Sequence, residues 1–265
     1  MISTMDAEKN KKKLKNIIIK VGAVLFWVLL WQIFYLAVGQ EILIVSPVAT
    51  VKRFFELSSQ GQFWVTAFSS LVRIMGGYVL AVIIGFFLAF LTSFIPVLRA
   101  LFHPVIIAAR ATPVASFIIL ALVWLSAGKV PAFIASLVAV PIVWENISEG
   151  ISRTDKKCLQ MAKVYKIGKA KTFTKIYFPS VYPYLASGAV SALGLAWKAG
   201  IAAEVLSVPK NSIGLELYRS KIYIETLDLF AWTLAVIIIS VALEKLLKYL
   251  LRRISGRYSI RRKEN

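Results

Sequence analysis

Residues Ser70–Phe94 read SLVRIMGGYVLAVIIGFFLAFLTSF. The run is almost wholly apolar and exceeds the roughly 20 residues that a helix needs to cross a bilayer core. Five other stretches meet or approach that length: Ile17–Val38, Val105–Leu125 with Pro113 interrupting it, Val130–Ile147, Val181–Val205 and Leu227–Leu251. The whole chain agrees, with 265 residues, 58% of them hydrophobic, and a mean hydropathy of +0.73. That composition lies in the membrane class. The expectation is an all-α polytopic membrane protein with about six transmembrane helices.

The formal net charge of +19 invites a nucleic-acid reading. Its distribution argues against one, because the cations gather in the tails and in one loop, without an interleaved basic and aromatic platform. Lys9, Lys11, Lys12, Lys13 and Lys15 precede the first span. Arg252, Arg253, Arg257, Arg261, Arg262 and Lys263 follow the last. An even number of spans puts both termini on one side, and the positive-inside rule makes that side cytoplasmic. The connection between the fourth and fifth spans falls on the same side. It sets Arg153, Lys156, Lys157, Lys163, Lys166, Lys169, Lys171 and Lys175 against Asp155. The first run is too long for a signal-peptide core and reads as a retained span. The organisation is then a basic tail over 1–16, one transmembrane domain over 17–251 with a cytoplasmic loop at 152–179, and a basic tail over 252–265.

That loop contains LQMAKVYKIGKAKTFTKIYFP, Leu159–Pro179. Thr154 is a plausible N-cap with Asp155 in the first turn. Cys158, Met161, Ala162 and Tyr165 follow helical spacing and share a face. Gly168 is a natural stop. Phe173, Ile176 and Tyr177 form a second stripe that ends at Pro179. Two short amphipathic helices of this kind suit either anionic lipid or a cytoplasmic protein. On the opposite side, Ser46 and Pro47 open a short interfacial helix whose apolar stripe is Val48, Val51, Phe54 and Phe55. The last outer loop, 206–226, is long enough to form a small external surface.

Catalytic chemistry is missing. There is no GxxxxGK[ST] phosphate loop and no HExxH. The one histidine, His103, has no serine or acidic partner that spacing supports. One cysteine, Cys158, excludes an intrachain disulfide, and no metal-ligand spacing occurs. The chain is expected to be no enzyme, with no catalytic residues, no metal and no cofactor of its own.

The basic loop resembles the coupling loop of bacterial ABC importer permeases. That loop carries Glu-Ala-Ala, three residues, Gly, then Leu-Pro with a further Pro and Gly. Here the first three positions fall on Gln160, Met161 and Ala162, and the glycine on Lys166. Phe178-Pro179, Pro183 and Gly188 complete the pattern, and Gly168 is expected to take over the turn. LIVSPVATVKRFFELSSQGQFW, SLVRIMGGYVLAVIIG, RATPVASFIILALVW and GLAWKAGIAAEVL follow in the order of the nitrate/sulfonate/taurine-type branch. The resemblance spans Leu43 to Leu251. It implies a bacterial inner-membrane permease subunit that pairs with a second, identical permease subunit around a translocation path. It further implies a cytoplasmic ABC ATPase dimer that uses the ATP and docks on Gln160, Met161, Ala162, Tyr165, Lys166, Gly168 and Pro179. An extracytoplasmic solute-binding protein would deliver the substrate. The rival reading is a membrane scaffold whose hairpin binds lipid or recruits a partner without transport.

Polar groups inside spans are candidates for the path, because a mid-bilayer charge costs about 2.5–3.5 kcal/mol on insertion scales. Lys198 and Glu204 lie in the fifth span; Arg110 and the helix-breaking Pro113 lie in the third. Lys198 and Arg110 together favour a small organic or inorganic anion, such as a sulfonate or nitrate. Trp197 and Trp124 read as packing residues. Gly76, Gly77, Gly85, Gly188, Gly194 and Gly200 read as close-packing positions.

Overall fold

The structure is a computed structural model that describes the backbone of residues 2–261 and the side chains of residues 18–19 and 21–253. The tail cations Lys9, Lys11, Lys12, Lys13, Lys15, Arg257, Arg261, Arg262 and Lys263 lie outside those side chains. The described chain is helical throughout its regular elements: α1 (Ile2–Val38), α2 (Pro47–Ser58), α3 (Gly61–Phe94), α4 (Pro96–Ala111), α5 (Val114–Trp124), α6 (Val130–Ser152), α7 (Lys156–Val164), α8 (Lys169–Thr172), α9 (Phe178–Ser207), α10 (Ile213–Ile222) and α11 (Thr226–Arg261). A π-helical turn, Phe173–Tyr177, joins α8 to α9. Five helices are long and apolar enough to cross a membrane, and the bent pair α4–α5 makes a sixth candidate.

The centre is a bundle of α3, α6 and α9, and small residues set its spacing. A Cβ on Gly77 would stand 2.0 Å from the Ala132 carbonyl oxygen. Gly85 faces Val143, Gly188 faces Asn146 and Gly200 faces Ile74 at similarly short range. Gly76 and Gly194 have open space instead, so four of the six glycines read as packing positions do pack. Several polar side chains inside the bundle find partners, as burial demands. The Tyr78 hydroxyl donates to the Ala189 carbonyl at 2.9 Å. Trp144 Nε1 donates to Thr92 Oγ1 at 2.8 Å. Trp197 is buried and donates to the Val236 carbonyl at 3.2 Å. Trp124, expected to pack, is 78% exposed.

The third predicted span is broken where Pro113 interrupts it. The chain turns by 106° between α4 and α5. Pro113 cannot donate a backbone hydrogen bond, and it pushes Thr112 out of the helical region, to ψ 134. α5 then packs on α6 and α9 through Ile118 and Ala121, against Val130, Ile134, Ala199 and Ala203. α4 lies along the other half, with Ile106 buried.

α2 forms as its cap predicts: Ser46 Oγ accepts from the Ala49 N–H at 3.2 Å, and Pro47 opens the helix. Its protein-facing side is distinct from most of the apolar stripe. Pro47, Thr50 and Leu57 are buried and Phe54 packs beside them, whereas Val48, Val51 and Phe55 are exposed. Tertiary contact with α11 selects that face. Arg53 joins it through a two-pronged pair with Asp228, at 2.6 and 3.0 Å. The Asp228 carboxylate raises the Arg53 pKa above its ordinary value and holds the guanidinium charged. α1 stays at the periphery, touching the rest through Trp31, which stacks on Phe230 and donates to the Val45 carbonyl.

Candidate functional site

The site has two parts: the basic hairpin at one end of the bundle, and a set of ionisable residues along α4, α6 and α9. In the hairpin, Asp155 rather than Thr154 caps α7. Its carboxylate accepts from the Lys157 N–H at 2.8 Å. Thr154 instead donates back to the Gly150 carbonyl at the end of α6. Arg153 pairs with Glu149, whose carboxylate raises the guanidinium pKa.

The exit from α7 corrects the turn assigned to Gly168. The Lys166 N–H bonds to the Lys163 carbonyl, and the Ile167 N–H to the Ala162 carbonyl at 2.8 Å. Those two bonds are the Schellman pattern, which needs a left-handed residue after the helix cap. Lys166 supplies it, at φ +50. Gly168 has φ −59 and ψ 149, an ordinary extended conformation, and precedes α8.

The shared face of α7 is also redistributed. Ala162 is 3% exposed, with Cys158 and Leu159 half-buried beside it. Gln160, Met161, Val164 and Tyr165 point outward; Met161 is 48% and Tyr165 75% exposed. Three apolar residues, Met161, Val164 and Tyr165, set among lysines therefore face away from the bundle. Beyond the turn, the second hairpin helix runs on through Pro179. α8, the π-helical turn and α9 run on as one helical rod over Lys169–Ser207. Pro179 opens α9 directly after the π turn, and Pro183 lies inside α9. The π turn rests on the end of α3 through Phe173 on Phe90 and Tyr177 on Phe94, with centroids 5.2 and 5.5 Å apart.

The intramembrane residues divide by environment. Lys198 is exposed on α9 between buried Trp197 and Ala199, and it makes no ion pair among the described residues. Arg110, two residues before the break, pairs with Glu145 of α6 at 2.5 Å, and both side chains are about half exposed. Pro113 shapes the break itself. Glu204 has none of its surface exposed and acts as a strut. It accepts from Ser70 Oγ at 2.7 Å, from Arg73 at 3.0 Å and from the Gly214 N–H at 3.2 Å. Ser70 Oγ in turn accepts from the Ile213 N–H, and Arg73 donates to the Lys210 carbonyl. One carboxylate thus fastens α3, α9 and α10 together. Sequence reasoning missed Arg73 and Glu145 as partners. The signal was present: each unpaired cation or acid in a span requires a counter-charge.

Comparisons with known proteins fit this architecture. Residues 77–258 match the family model described as binding-protein-dependent transport system inner membrane component. The bicarbonate transport system permease protein of Synechococcus elongatus is 27% identical over 222 residues, covering 80% of each chain. The nitrate import permease protein of Leptolyngbya laminosa is 27% identical over 198 residues, 70% of each. A crystal structure of an amino acid ABC transporter with histidines superposes with a TM-score of 0.55 at 16% identity, covering 78% of this chain and 96% of that one. That likeness concerns the fold alone.

Proposed function

The chain belongs to the family of binding-protein-dependent transport system inner membrane components, and from that premise we propose a small oxyanion as the solute of this ABC importer permease, with Lys198 as its ligand in the path. The observation that carries the reading is the exposed Lys198, which makes no ion pair among the described residues, in a helix whose one other charged residue, Glu204, is paired. A lysine at that depth is stable only where water, a partner subunit or an anion meets it. Relatives named for bicarbonate and nitrate transport support an anion. Arg110, held by Glu145 beside the broken span, stands farther toward the hairpin end.

In this reading two copies face each other across the Lys198 surface. A cytoplasmic ATPase pair grips the outward patch of Gln160, Met161, Val164 and Tyr165, with Lys166, Gly168 and Pro179 shaping the rod behind it. ATP is bound and hydrolysed on those partner chains. The rod Lys169–Ser207 is about 58 Å long at 1.5 Å per residue, so a push at the hairpin is carried along one continuous helical run toward Lys198 and the far end. A binding protein delivers solute at the α10 end, and both termini lie on the cytoplasmic side.

The test is uptake by proteoliposomes that hold the permease, its ATPase and its binding protein. Labelled nitrate, bicarbonate and a sulfonate are offered beside a neutral solute. Lys198→Met lowers anion uptake at least tenfold, and Lys198→Arg retains most of it. Uptake confined to a neutral or cationic solute overturns the anion assignment. Met161→Asp with Tyr165→Asp releases the ATPase while leaving membrane insertion intact; unchanged recovery of the ATPase sinks the docking assignment.

A further inference from the structure

At the hairpin end of the bundle lies a cavity of about 410 Å³, away from Lys198 and away from the exposed face of α7. Its walls come from the end of α3 (Thr92, Ser93), from α4 (Arg99, His103) and from α6 (Trp144 to Ser152). Four polar groups in it make no hydrogen bond among the described residues: the hydroxyls of Ser93 and Ser148, and the exposed side chains of Arg99 and His103. The Ser148 hydroxyl is the only enclosed side-chain polar atom without a hydrogen bond among the described residues. Arg99 and His103, one helical turn apart on α4, make no hydrogen bond or ion pair among them either. The remaining polar walls are already committed. Trp144 Nε1 is taken by Thr92, Glu145 by Arg110 and Glu149 by Arg153.

The unpartnered donors decide the ligand's chemistry. Each carboxylate in the wall already pairs with a guanidinium, which offsets its charge toward a second cation. What is left over is a guanidinium, an imidazole and two hydroxyls, all of which can donate. Three arginines against two glutamates leave one excess positive charge at the mouth. An enclosed hydroxyl without a partner carries a desolvation penalty that an acceptor would remove. Charge-assisted hydrogen bonds from arginine to phosphate-like oxygens are the strong ones.

We propose that this cavity is an oxyanion-binding site, with Arg99 supplying the charge and Ser148 Oγ–H and His103 supplying directed hydrogen bonds. The ligand is a phosphate-like group, either the headgroup phosphate of an anionic lipid or a free inorganic oxyanion. Bound there, it ties α4 to the end of α6, the helix that feeds the hairpin. The site rests on its own groups and stands or falls apart from the transport reading.

The experiment uses the full chain in nanodiscs. Inorganic sulfate is titrated into phosphatidylcholine discs, with chloride at matched ionic strength as the reference. A second set of discs contains phosphatidylglycerol, and lipid retained by the protein is counted by native mass spectrometry. Saturable sulfate binding assigns a free oxyanion; selective retention of phosphatidylglycerol assigns a lipid phosphate. In either arm Arg99→Gln weakens binding about tenfold or more, as loss of a charged hydrogen bond does. Ser148→Ala weakens it severalfold, and because Ser148 Oγ has no hydrogen bond to lose, that variant folds as the parent does. The proposal is overturned if neither probe binds beyond its reference, or if both variants bind as tightly as the parent.

Discussion

Lys166 holds a left-handed backbone, φ +50, at the point where the hairpin turns. For a residue with a Cβ that conformation costs about 1–2 kcal/mol, and glycine escapes most of it. The two Schellman bonds after α7 require the conformation whatever side chain sits there. Lys166→Gly is therefore expected to stabilise the hairpin by about 1 kcal/mol, read as a higher midpoint of thermal unfolding and slower proteolysis of the loop. Gly168→Ala is expected to be neutral, since Gly168 has φ −59 and open space around its Cβ position. A loss of stability in the first variant, or a larger loss in the second, contradicts the assignment of the turn. The sequence contained both halves of this answer. The family pattern places a glycine on position 166, and a real glycine stands two residues on. Local composition favoured Gly168, and the choice was settled by which carbonyls the chain end could reach, a matter of hydrogen-bond geometry that composition does not carry.

At the scale of elements, spans and capped helices were legible because each rests on local signals: about 20 apolar residues, a Ser-Pro start, a proline break. The faces of the short helices were not. Periodicity on α7 grouped Met161 with Ala162, but only Ala162 turned inward, because burial depends on what lies beside the helix. The Glu204 strut was equally out of reach, since its partners stand 131 and 134 residues away along the chain. Removing one partner of a buried pair leaves an uncompensated charge and costs about 3–5 kcal/mol. Glu204→Ala should lower stability by that order and should expose α10 selectively, read as fast amide exchange over Ile213–Ile222. Gly214→Ala should act in the same direction, because its Cβ would fall 2.3 Å from the Glu204 Cβ. Exchange in α10 unchanged by both variants removes the strut. The π-helical turn allows a different test. A residue deleted from Phe173–Tyr177 turns everything before it by about 100° about the rod axis. Deletion of Thr174 is expected to abolish ATP-driven uptake while α9 and α11 remain folded; full uptake by that variant excludes a rigid lever.

On the whole-molecule scale, the ends of the bundle are distinct. α7, α8, the start of α9 and the end of α6 share one end; α2, α10 and the starts of α3 and α11 share the other. Contacts fix this arrangement: Phe94 meets Tyr177 at the hairpin end, and Phe63 stacks on Trp232 at the opposite one. Charge then sets the direction in the bilayer. The hairpin end carries Lys156, Lys157, Lys163, Lys166, Lys169, Lys171 and Lys175, all exposed. The α10 end mixes signs, with Glu216 on Arg219 and Asp228 on Arg53. Only the first pattern is a positive-inside signal, because the rule counts lysine and arginine near span ends. The hairpin is therefore expected to be cytoplasmic and α10 external. Cys158 is the one native cysteine, so a Cys158→Ser background gives a clean label site. In that background Gly168→Cys should react with a membrane-impermeant maleimide only after the membrane is opened. Tyr223→Cys, 71% exposed in the parent at the end of α10, should react in intact cells. The reverse pattern would invert the importer, put the lysine-rich hairpin outside, and leave no surface on which a cytoplasmic ATPase could grip Met161 and Tyr165.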